Sequence, residues 1–98
     1  MDTRIVPPLV AVLDWLAEQA LEQGHPVEAL EFARQIRRWS ASDERGILRT
    51  VEALLALGGV QQARKTLKAF VESEFYAGFS PQGREKLKRL GLLDLVPQ

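Results

Sequence analysis

Few side chains in this sequence could carry chemistry, and their spacing decides of what kind. His25 is the lone histidine, set between Gly24 and Pro26. No cysteine accompanies it, so neither a thiolate nucleophile nor a cysteine–histidine metal set can be assembled around it. Carboxylates recur at helical steps: Asp14, Glu18 and Glu22 lie four apart, and Glu28 and Glu31 three apart. A working acid–base pair needs one carboxyl more buried than the other, and these read as solvated helix faces. Gly58-Gly59 follows an apolar helical run and not a strand, which argues against a phosphate-cradling loop. The expectation is a protein that is not an enzyme and holds no metal or cofactor.

The basic residues form a second constellation. Arg34, Arg37 and Arg38 are followed two helices later by Arg64, Lys65 and Lys68, a spacing that can draw a basic ridge along one side of the molecule. Nucleic-acid binding would call for aromatics interleaved among these cations. Few are present, and acids such as Glu31 lie close by, so the ridge reads first as a solvated face. Trp39, directly after Arg37-Arg38, has the composition of an interface anchor. A core tryptophan beside charged neighbours is the more ordinary reading. Phe70, Phe75, Tyr76 and Phe79 are expected to join the fourth helix to the end of the chain.

Composition bounds the rest. Ninety-eight residues suit one domain spanning 1–98. Thirteen basic and thirteen acidic residues cancel, so no global field recruits a polyanion or an anionic membrane. The charge is nevertheless polarised: residues 1–32 hold six acids against Arg4 alone, a net −5, and residues 33–98 carry the balancing +5. The apolar run Ile5–Leu13 is short, interrupted by Pro7 and Pro8 and closed by Asp14, so it reads as neither signal peptide nor membrane span. A soluble cytoplasmic protein is expected.

Periodicity and punctuation predict helices throughout. Leu9, Val12, Leu13, Leu16, Ala17, Ala20 and Leu21 recur at three- and four-residue steps after the Pro7-Pro8 opening, until Gly24 stops the run. Pro26 opens a second helix on Val27, Ala29, Leu30, Phe32, Ala33 and Ile36, ending near Trp39. Past the polar turn Ser40–Asp43, a third uses Ile47, Leu48, Val51, Leu54 and Leu55 and ends at Gly58-Gly59. A fourth spans about Val60 to Phe75 on Ala63, Leu67, Ala69, Phe70 and Val71. Ser80-Pro81 starts a short fifth that Gly91 closes, with Leu87, Leu90, Leu92 and Leu93 turned inward.

The two hairpins repeat at an offset of 34 residues: Gly24 matches Gly58, Ala29 matches Ala63, Glu18 matches Glu52 and Leu21 matches Leu55. In this the chain resembles the tetratricopeptide repeat, a helix–turn–helix unit of the same length. The family's small and apolar positions fall on Leu13, Leu16, Ala17, Ala20, Ala29 and Ala33, then on Ile47, Thr50, Val51, Leu54, Ala63 and Leu67. Thr50 stands where the family has leucine, and Ala41 and Phe75 where it closes with proline. The resemblance implies an all-α fold: a right-handed stack of two helix-turn-helix hairpins, about 9–42 and 43–76, with a C-terminal capping helix at about 80–91.

The resemblance also implies an interaction module, an adaptor, chaperone or regulatory subunit that binds a partner protein or peptide segment. The implied groove is lined by the first helix of each pair, with Asp14, Trp15, Glu18, Leu21 and Glu22 facing Arg45, Leu48, Arg49, Glu52 and Leu55. Two units make a short array, so a homodimer through an uncovered end is a further expectation. The rival readings are a nucleic-acid-associated regulator using the basic ridge and a structural homo-oligomer subunit. Because no ligand cluster couples metal to folding, chelator should leave the melting temperature unchanged; calorimetry with and without chelator checks this, and a drop of many degrees would reveal a site.

Overall fold

The computed structural model describes residues 6–97; Met1–Ile5 and Gln98, and with them Arg4 and the start of the Ile5–Leu13 run, lie outside the described residues. Within them the chain is all-α: α1 (Val6–Glu22), α2 (Pro26–Trp39), α3 (Glu44–Ala56), α4 (Val60–Val71) and α5 (Pro81–Arg89), then a 3₁₀ turn at Leu93–Leu95. Pro7-Pro8, Pro26 and Pro81 each stand in the first turn of a helix, where a missing N–H removes no hydrogen bond.

The two hairpin turns share one backbone geometry. Gly24 and Gly58 hold φ of +77° and +80°, a left-handed conformation that costs other residues about 1–2 kcal/mol. At the first turn the Gly24 N–H donates to the Leu21 carbonyl (3.2 Å) and His25 N–H to that of Ala20 (2.8 Å). At the second, Gly58 N–H donates to Leu55 (3.0 Å) and Gly59 N–H to Leu54 (2.8 Å). These paired bonds are the Schellman arrangement that satisfies the last carbonyls of a helix. The bonds recur a third time after α5, from Gly91 to Lys88 and from Leu92 to Leu87.

From α1 to α4 each helix packs on the next, and α3 takes the centre, in contact with α1, α2, α4 and α5. The odd-numbered helices close up, α1 against α3 and α3 against α5, whereas α2 and α4 make no close backbone approach. The extents, 37 × 31 × 20 Å, give a slab about two helix diameters thick. The main core joins Ile47, Val51 and Leu54 of α3 to Ala63, Leu67 and Phe70 of α4, closed over by Leu87, Leu92 and Val96. Ala20, Ala29 and Ala53 form a smaller cluster that lets three helices approach closely, and Val10, Leu13 and Ile36 fill the other end of the α1–α2 seam.

Several sequence expectations shift in the folded chain. The buried stripe of α1 is Val10, Leu13, Ala17 and Ala20, with Val12 left 53% exposed; α1 is apolar on more than one face, and periodicity alone does not choose among them. Val27 and Ala69 also face outward. Helix α4 ends at Val71, short of Phe75, because the Ser73 hydroxyl donates to the Phe70 carbonyl at 2.7 Å and accepts from the Phe75 N–H at 3.3 Å. Phe70, Tyr76 and Phe79 form an aromatic cluster with centroids 5.4–6.0 Å apart, but Phe75 points away from it. Trp39 lies at the surface and not in the core.

The capping helix is fastened by a contact no local pattern announced. The Glu44 carboxylate accepts from the Ser80 N–H (2.7 Å) and the Ser80 hydroxyl (2.6 Å), while Ser80 Oγ accepts from the Gly83 N–H and so caps α5. Gly83 makes room for that carboxylate, since a Cβ there would fall 2.6 Å from a Glu44 oxygen. Ala29 and Ala63 are fully buried at matching places in the two hairpins. Ala29→Leu or Ala63→Leu should therefore overpack its hairpin and cost about 1–3 kcal/mol in denaturant melts; unchanged midpoints would contradict this packing.

Candidate interaction surfaces

On the odd-helix side, the residues expected to line a groove divide into three groups. Asp14 and Glu18 of α1 and Arg49 and Glu52 of α3 come together. The Arg49 Nε donates to Asp14 at 2.7 Å, and its terminal nitrogens donate to Glu18 at 2.9 Å and Glu52 at 3.2 Å. Lys86 of α5 donates to the same Glu52 oxygen at 3.0 Å. The Arg49 side chain is only 8% exposed. Burial by itself would lower its pKa, but the hydrogen bond and charge of Asp14, with Glu52 and Glu18, outweigh that and hold it above the usual arginine value. This strip is an internally paired network that ties α1, α3 and α5 together.

A second group turns inward. Leu48 is buried, Leu55 packs half-buried against the main core, and Leu21 packs against the alanine cluster. The third group stands outside the Arg49 network. Arg45 folds back on Asp43, whose carboxylate also accepts the Arg45 N–H as the N-cap of α3; that side-chain hydrogen bond is the main reason the Asp43 pKa lies below the usual carboxylate value. Trp15, 58% exposed, stands with Leu16 and Gln19 beside Glu28 and Phe32 of α2, on the side of α1 away from α3. Glu22 is exposed at the end of α1. Two shallow depressions of about 160 Å³ each remain open between the odd helices, one bordered by Asp14, Arg45, Leu48, Arg49, Gln82 and Lys86 and the other by Glu52, Lys86, Arg89 and Leu90.

The even-helix side is different. Because α2 and α4 both rest on α3 without a close backbone approach to each other, a cleft of about 430 Å³ opens between them. Arg34, Arg37 and Arg38 form one wall; Ala69, Phe70, Ser73 and Phe75 form the other, and Ala41 closes the end. No acidic side chain lines it. Arg34 has only Glu31 of its own helix, 3.7 Å away on an exposed face. Among the described residues Arg37 and Arg38 make no ion pair. Burial with nothing to oppose it holds the Arg37 pKa below the usual value. Of the other ridge cations, Arg64 is taken by Asp94 at 2.7 Å, and Lys65 and Lys68 are exposed. The sequence named the arginines but not the gap beside them or the aromatic across it, since the gap follows from which helices fail to touch.

His25 is exposed in its turn, and the described residues include no group of histidine and carboxylate side chains able to hold a metal ion. No helix among the described residues is long and apolar enough to cross a membrane. The chain matches no family model, no curated protein and no solved structure.

The Arg49 network makes a stability prediction. Arg49→Met leaves Asp14 without its cation and Glu52 with Lys86 alone, and should cost about 1–3 kcal/mol, below the figure for a fully buried pair because the acids retain some solvent. Glu18→Gln, at a half-exposed site, should cost less than about 1 kcal/mol. Urea melts of the two variants check the order, and equal costs would contradict it.

Proposed function

We propose that this chain is a protein-interaction module and not an enzyme, and that its docking surface is the cleft between α2 and α4. One observation carries the reading: three arginines, two of them without an ion-pair partner among the described residues, face a half-exposed phenylalanine across an open cleft. Arginine and aromatic side chains supply most of the energy at the centres of protein interfaces. The groove between α1 and α3 is the weaker candidate on physical grounds, since Arg49 is already saturated and Leu48 and Leu55 belong to the core. Any partner there would have to compete with ion pairs that the fold itself uses. The tetratricopeptide-like reading belongs to the same proposal. It is supported by the 34-residue offset shared by both glycine turns and both buried alanines.

The test compares three forms of the protein as bait in an extract of the native host, with captured proteins quantified. Arg34→Glu with Arg38→Glu alters two exposed cleft cations, and Glu18→Gln with Glu22→Gln alters the groove rim; both positions are exposed, so folding should survive. A partner lost at least tenfold from the cleft variant and kept by the rim variant is the expected result. A partner kept by the cleft variant and lost from the rim variant would move docking to the α1–α3 groove.

A further inference from the structure

We infer that the α2–α4 cleft receives an acidic segment of a partner protein, its carboxylates meeting Arg37 and Arg38 and an apolar side chain resting on Ala69 and Phe75. The inference rests on the cleft being the docking surface proposed above and adds the chemistry of what fills it. Charge complementarity is the first argument. Three arginines line one wall and no carboxylate lines the other, whereas the more deeply buried Arg49 is met by three acids and Arg45 by Asp43. A planar guanidinium offers a fork of donors that fits a carboxylate in bidentate fashion.

Preorganisation is the second argument. The aliphatic stem of Arg37 lies over Gly46 of α3, where a Cβ would fall 2.7 Å from Arg37 Cγ and 3.4 Å from its backbone nitrogen. Gly46 thus lets the stem pack close to α3 while the charged end reaches the cleft, a division of one side chain into buried stem and available head. Less rotamer freedom remains to be lost when a ligand arrives. A half-buried cation with no counter-charge among the described residues has a desolvation cost they do not compensate, which an incoming carboxylate would relieve.

The apolar wall is the third. Phe75 is 47% exposed because the Ser73 turn removes it from the helix and from the aromatic cluster. It gives an incoming segment an aromatic face beside the exposed Ala69. One exposed aromatic is poor provision for stacked bases, Phe70 being buried, and the cation path toward Lys65 and Lys68 is interrupted where Arg64 turns to Asp94. The volume of about 430 Å³ lies in the range of pockets that hold small ligands, ~300–1,000 Å³, enough for a few side chains.

The probe is a short labelled peptide in which glutamate and leucine alternate, titrated with the full chain by fluorescence anisotropy. The comparison probes are the same peptide with glutamine in place of glutamate, and a single-stranded oligonucleotide. The glutamate peptide should bind with a dissociation constant on the order of 10–100 μM and weaken as salt is raised. Arg37→Ala and, separately, Arg38→Glu should each weaken it about tenfold, while Phe75→Ser weakens both charged and uncharged peptides. Arg38 and Phe75 are exposed, so these two variants keep the test alive if Arg37→Ala disturbs packing. Equal binding of the glutamine peptide, no measurable binding of the glutamate peptide at millimolar concentration, or tighter binding of the oligonucleotide would each overturn the acidic-segment assignment. So would a sedimentation mass showing that the cleft is filled by a second copy and that Arg38→Glu frees it. If the host partner depends on the cleft but the glutamine peptide binds equally well, the docking surface stands and only its acidic chemistry fails.

Discussion

Helix α3 has no solvated side from Gly46 to Val51, and the molecule is arranged around the need to bury it. Ile47, Leu48 and Val51 meet this need by apolar contact. The two polar residues in the stretch meet it differently: Thr50 donates to the Gly46 carbonyl one turn back at 2.7 Å, and Arg49 is enclosed by carboxylates from α1 and its own helix. A buried guanidinium left unpaired would cost several kcal/mol, so α1 is held in register with α3 as firmly by Asp14 as by packing. No buried side-chain polar atom among the described residues lacks a hydrogen-bond partner.

From that centre follows the difference between the two sides of the slab. Where odd-numbered helices approach α3, charges are paired across helices, from Asp14 and Glu18 through Arg49 and Glu52 to Lys86. Where even-numbered helices lie, α3 separates them, and the space left is bordered by arginines without carboxylates. The polarity of the chain, net −5 to residue 32 and +5 beyond it, becomes in the fold an asymmetry of availability: acids near α3 are spent on structure, and cations on α2 are not. Gly46 and Gly83 show the same economy of space from opposite directions. One lets an arginine stem lie down on α3, the other lets the Glu44 carboxylate reach across to α5.

Helices, their order and the two hairpin turns were legible in the amino-acid sequence because each is decided locally. Proline can occupy only certain turns of a helix, glycine alone adopts positive φ without strain, and apolar residues at three- and four-residue steps have one face to bury. Ala29 and Ala63 could be singled out as close-approach positions for the same reason. Tertiary structure decided what periodicity left degenerate: that Val10 and not Val12 faces the core, that Phe75 leaves the aromatic cluster, and that Glu44 fastens α5. It also decided that Asp14, Glu18 and Glu52 pair with Arg49, while Arg37 and Arg38 make no ion pair among the described residues. The Glu44 and Arg49 contacts depend on which side chains meet across more than thirty residues of chain, and charge type alone carries no information about its partner. A sequence shows that an arginine is present; only packing determines whether a carboxylate has already reached it.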